Sequence, residues 1–139
     1  MKTLAKILVF FLVAYWLLLS HVSFNFMDDA PSLKEMSEDG KYKVLLRDIY
    51  PTNPIGIYCL LTTESPIYFA LFDSDDNYIG QSSPFVCYNK WSVAGFTFPG
   101  EEFTTDTKSF IVLDDSYNGE LNISTKDKRW WSTLLAIFN

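Results

Sequence analysis

Histidine is almost absent from this chain: His21 is the only one in 139 residues. A domain lying beyond it has no imidazole for a Ser-His-Asp or Cys-His nucleophile system, and histidine-rich metal sites are excluded as well. Glycine-rich fingerprints are missing too. No G-x-G-x-x-G, phosphate-loop or G-x-S-x-G pattern occurs, so nucleotide binding and a nucleophile elbow have no support. Basic residues are few, 11 against 17 acidic. All the acids fall after residue 27, while Lys2 and Lys6 precede it, leaving a net charge of −8 in the larger part against +2 at the start. Nucleic acid is therefore not expected as a partner, because neutralising phosphates needs a basic patch. An acidic domain suits basic protein partners or none.

What is present begins at Ile7 to Leu19, ILVFFLVAYWLLL, an uninterrupted apolar run. Its 13 residues reach only about two-thirds of a bilayer core at about 1.5 Å per residue. The flanks extend it, since Lys6 is the only charge from Leu4 to Met27 and a lysine near the edge snorkels into headgroups. A secretory signal peptide is the competing reading, but neither Leu18-Leu19-Ser20 nor His21-Val22-Ser23 offers small residues at both cleavage positions. The run is read as a retained anchor contacting lipid through residues 4–27. Lys2 and Lys6 before it and Asp28-Asp29 after it place the N-terminus in the cytoplasm by the positive-inside rule. His21, beside Ser20 and Ser23, is expected as an interfacial polar residue rather than a proton sensor or metal ligand.

The expected organisation is a cytoplasmic tip and anchor over 1–27, a linker over 28–40 and one extracytoplasmic domain over 41–139. The linker DDAPSLKEMSEDG mixes charge, Pro31 and small polar residues, with room for a helical turn at Leu33 to Met36. Short strands are expected at Lys41–Arg47, Ile55–Thr62, Ile67–Asp73, Tyr78–Gln81, Phe85–Tyr88, Trp91–Phe98, Ser109–Leu113 and Glu120–Ser124. Proline, glycine and Asp/Asn clusters separate them, with Asn118-Gly119 the best hairpin cue. With 17 % aromatic residues, this spacing predicts a mainly β chain whose domain is an antiparallel β-sandwich or small barrel.

The tail departs from that pattern. In RWWSTLLAIFN, Trp130, Trp131, Leu134, Leu135 and Phe138 recur at helical spacing on one face. Two readings stand: an interfacial helix with Arg129, Trp130 and Trp131 at the membrane surface, or a terminal element packed on the sheets. Cys59 and Cys87 leave two readings open as well, a disulfide in an oxidising compartment or two buried thiols. The cluster Asp73, Asp75, Asp76, Asn77 has the alternating oxygen donors of a Ca²⁺ loop but lacks the glycine and distal glutamate of an EF-hand, so a self-capping turn is the stronger reading. Asp114-Asp115 and Glu101-Glu102 are adjacent pairs whose side chains diverge on a strand, and neither makes an acid/base dyad. No catalytic residue and no cofactor is assigned.

The anchor followed by DDAPSL, SEDGKYKV, PIYFALFD, YIGQSSPF and a closing KRWW resembles a family of short, uncharacterised bacterial proteins with a single N-terminal membrane span. The resemblance implies an envelope protein of unknown function and carries no catalytic residues onto this chain; the short basic, apolar and aromatic start reads as a bacterial inner-membrane anchor with its domain in the periplasm. The expected function is a non-enzymatic protein-interaction module of the cell envelope, for example an immunity-type protein. The alternative is a Ca²⁺-dependent binding or carboxylate-using enzyme domain centred on Asp73–Asn77.

Overall fold

The computed structural model describes residues 1–24, 30–101, 106–114 and 119–139. Helix α1 (Lys2–Leu18) continues through a 3-10 turn, Leu19–His21, giving 20 residues long and apolar enough to cross a membrane. From Lys2 to Val13 its side chains are exposed, with Phe10, Phe11 and Leu12 all more than half so.

Two antiparallel sheets follow. The larger joins β1 (Leu33–Met36), β2 (Tyr42–Asp48), β3 (Pro66–Asp73) and β4 (Tyr78–Gln81) in that order, with β5 (Tyr88–Asn89) also on β3. The smaller joins β6 (Phe96–Thr97), β7 (Ser109–Val112) and β8 (Ile123–Ser124). The chain is mainly β, as its turn spacing predicts, but the strands at Phe85–Tyr88, Trp91–Phe98 and Glu120–Ser124 are cut to two residues each. The Asn118-Gly119 cue lies partly outside the described residues, as do Glu102 and Asp115.

Strand β3 is the centre of the packing. Alternation along PIYFALFD sends Ile67, Phe69 and Leu71 to one face and Tyr68, Ala70 and Phe72 to the other. The first set meets the smaller sheet, where Phe69, Phe96, Phe98 and Phe110 touch ring to ring at centroid distances of 5.3–6.2 Å. Such offset and edge-on geometries are the favourable ones for aromatic pairs. The second set meets Ile49, Ile55 and Cys59, so β3 is buried on both faces and the domain has three layers.

The third layer corrects the sequence reading. Ile55–Thr62, expected as a strand, is helix α2 (Pro54–Thr62). Asn53 is its N-cap, with Oδ1 accepting the Gly56 N–H at 2.8 Å, and Pro54 occupies the first helical position, where its missing N–H costs nothing. The β-branched and aromatic residues that suggested a strand are overruled by that start signal. Leu33–Met36 is a second correction: it forms edge strand β1, paired with Met36 opposite Lys43 and Leu33 opposite Leu46, instead of a helical turn in a linker.

The two cysteines are joined. Cys59 on the buried face of α2 and Cys87 form a disulfide with Cα atoms 5.2 Å apart, within the usual span for such a bridge. Helix α3 (Trp130–Leu135), extended by a 3-10 turn at Ala136–Phe138, closes the chain.

Candidate functional site

Three helices and β4 converge at one end of the domain through neutral side chains. The last carbonyls of a helix are short of intrahelical donors, and at the end of α1, where the Tyr15 carbonyl still accepts the Leu19 N–H, the domain supplies more. Asn53 Nδ2 donates to the carbonyls of Tyr15 and Trp16, each at 2.9 Å, and the Tyr15 hydroxyl donates to the Thr52 carbonyl. Gln81 Nε2 donates to the His21 carbonyl at 2.9 Å. Asn53 and Gln81 are both almost fully buried, which places these bonds away from competing water and makes each expensive to lose.

Gln81 is also the seat of α3. Its N–H donates to Ser132 Oγ at 3.0 Å, its carbonyl accepts from Trp131 Nε1 at 3.1 Å, and its Oε1 accepts from the Tyr78 hydroxyl at 3.2 Å. Burial holds the Tyr78 phenol well above its ordinary range, so it stays a donor there. Close approach needs small residues at two points. A Cβ on Gly56 would lie 2.2 Å from the Tyr50 carbonyl and 2.9 Å from Ser20 Cβ, and one on Gly80 would lie 3.0 Å from Ser132 Oγ.

His21 is placed differently from its expected interfacial position. It is fully buried, with Nδ1 2.8 Å from Ser20 Oγ and its ring 5.7 Å from that of Tyr68. Ser20 and Val22 are buried beside it, so the end of α1 is built into the domain. The tail is likewise more divided than its spacing suggested. Leu135 and Ser132 point inward, Trp131 is half-buried beneath the Arg129 guanidinium at 5.7 Å, and Trp130, Leu134 and Phe138 remain exposed.

The Asp73–Asn77 cluster is a self-capped turn at the opposite kind of surface. Asp73 Oδ1 accepts the N–H groups of Asp75 and Asn77 and Oδ2 accepts from Asn77 Nδ2, all at 2.9 Å. Those bonds hold the Asp73 carboxyl below the usual carboxylate range. Asp76 pairs with Lys43. Among the described residues no three His, Cys, Asp or Glu side chains gather where a metal ion could be held. A separate groove of about 660 Å³ runs between the β1–β2 turn and the smaller sheet, lined by Glu38, Asp39, Phe96, Thr97, Glu101 and Leu113.

Sequence reasoning placed Trp131 and the cysteines among the candidates but missed Asn53, Gly56, Gly80 and Gln81. The signal for Asn53 was available in Asn53-Pro54; none was available for Gln81, whose partners other than Tyr78 lie 50 to 60 positions away. No curated protein and no solved structure matches the chain. The profile of one family matches residues 1–135, nearly the whole sequence, and the chain belongs to it: the family of unknown function DUF6201.

Proposed function

We propose that the chain is a single-pass envelope protein. In this reading α1 crosses the inner membrane with its N-terminus in the cytoplasm, and the β domain stands in the periplasm as a non-enzymatic module that binds another protein. The observation that carries it is α1 itself, a 20-residue span apolar enough to cross a membrane, whose side chains are exposed from Lys2 to Val13 although its far end is fixed into a folded domain. Such a surface in water would be unusual for a monomer. Lys2 and Lys6 at the free end support the orientation. The Cys59–Cys87 disulfide supports an oxidising compartment for the domain. The net negative charge of the domain and the groove in which Glu38, Asp39 and Glu101 surround Phe96 and Leu113 support a basic partner offering an apolar side chain. Protection against an incoming toxin is one form such binding takes.

A membrane-impermeant amine-reactive crosslinker, added to spheroplasts carrying the full chain, tests both halves. The expected result is reaction at Lys34, Lys41 and Lys126 together with a discrete adduct to one basic protein. Lysines that react only after lysis would overturn the orientation. Reacted lysines without any adduct would overturn the interaction module.

A further inference from the structure

We infer that α2 and α3 lie in the lipid headgroup layer on either side of α1, so that the domain sits partly sunk in the membrane surface and its bound partner there is lipid. This inference rests on the anchor reading above and deepens it. The first ground is length. Residues 2–21 make about 30 Å of helix, the thickness of the hydrocarbon core. Ser20, His21 and Val22 are enclosed by protein, so the lipid-facing stretch ends at Leu19 and has no slack beyond it. Lifting the domain clear of the bilayer would shorten the span further.

The second ground is where the domain grips the helix. Asn53, at the start of α2, bonds the carbonyls of Tyr15 and Trp16. Tyr15 lies four residues before Leu19, about 6 Å deeper along the axis. Phe138, at the end of α3's extension, lines a groove with Phe11, Ala14, Tyr15, Leu18 and Leu19. Both helices therefore begin or end below the last lipid-facing residue of α1, at the depth of about 5–10 Å that interfacial helices reach.

The third ground is chemistry. Residues 49–63, 77–89 and 130–139 carry no charged side chain, and Asn53, Gln81 and Phe138 bring these three segments to the end of α1. Tyr58 and Leu61 on α2 are 62 % and 81 % exposed, and Ile137 after α3 is 82 % exposed. Lys126, Lys128 and Arg129 directly precede α3, where phosphate groups would meet them. The carbonyls at the end of α1 are bonded by Asn53 and Gln81 instead of relying on water, as a helix end close to hydrocarbon requires.

The full chain reconstituted in phosphatidylcholine/phosphatidylglycerol vesicles containing a diazirine-acyl lipid provides the test, with adducts mapped by mass spectrometry after illumination. Adducts are expected on α1, on residues 57–61 and on residues 134–138, and none at Leu113 in the layer on the other side of the larger sheet. L61E combined with I137E, both at exposed positions, should leave thermal unfolding unchanged and lower adduct yield at both stretches severalfold. Adducts confined to α1 would overturn the collar while leaving the anchor standing. Absence of adducts from α1 as well would overturn the anchor.

Discussion

The helical end and the turn-rich end of this domain satisfy their polar groups in opposite ways. At the helical end the bonds are long in sequence and neutral: Asn53 reaches back 37 and 38 positions to α1, and Gln81 reaches 60 back to His21 and 50 forward to Trp131. At the other end, the Lys43–Asp76 pair apart, they are short in sequence and made by carboxylates. Asp39 bonds Ser37 and Lys41, and Asp73 bonds Asp75 and Asn77, all within four residues. A local charged turn forms in water and adds little to the global fold, whereas a buried neutral network exists only once distant segments meet. The difference teaches where cooperativity resides: changes at the helical end should reach the whole domain, and changes at the turns should stay local.

The largest expected effect is loss of the Cys59–Cys87 bridge, which pins α2 to the segment after β4 across a separation of 28. Loop-closure entropy gives roughly 3.5 kcal/mol for a loop of that size. Replacing both cysteines by alanine should lower the unfolding free energy of the full chain in micelles, read from denaturant titration, by that order. A reductant should do the same to the parent and nothing to the variant. Equal midpoints would mean that packing alone holds α2, and the contrast between the two ends would weaken accordingly.

Second in size is Gly56→Ala. The added methyl would stand 2.2 Å from the Tyr50 carbonyl and 2.9 Å from Ser20, neither of which is a flexible side-chain tip. Overpacking of this kind costs about 1–3 kcal/mol. Gly95→Ala is the matched control, because its new methyl would find only Leu113 at an ordinary 3.6 Å, and a change within about 0.5 kcal/mol is expected. Unfolding midpoints of the two variants compare the ends directly; similar losses would erase the distinction.

The same division explains what was legible in the sequence. Helix α1 and strands β2 to β4 carry their own periodicity and punctuation, and the turns at Asp39-Gly40 and Asp73–Asn77 carry their own chemistry. All of these are local signals. Strand β1 escaped because every one of its residues is exposed, so no alternation marks it. Helix α2 escaped because Ile55, Ile57 and Tyr58 favour strands, and only the Asn53-Pro54 start signal argued otherwise. His21 was assigned to an interface from its neighbours in sequence, while its actual neighbour, Tyr68, is 47 positions away. Gln81 has no local mark at all: a polar residue after Gly80 in a short strand is unremarkable until α1 and α3 arrive.

The smallest expected effect lies at the charged turns and depends on acid. The Lys41 ammonium, with the Lys41 N–H and the Ser37 hydroxyl, holds the Asp39 carboxyl at about 2, well below its usual 3.8. Asp73 is lowered in the same direction by Asn77 and the turn N–H groups. A carboxyl whose pKa is depressed by folding contributes stability above its unfolded value and loses it as pH falls through the folded one. The contribution of Asp39 is therefore complete above about pH 4 and fades toward pH 2. Both carboxyls lie at the surface, so screening keeps the contribution small and added salt should shrink it further. Thermal unfolding of a D39N/D73N variant against the parent should show a modest gap at neutral pH that closes by about pH 2. A gap that stays constant through that window would mean that the amides fail to cap the turns for reasons of shape, and that charge contributes nothing at this end.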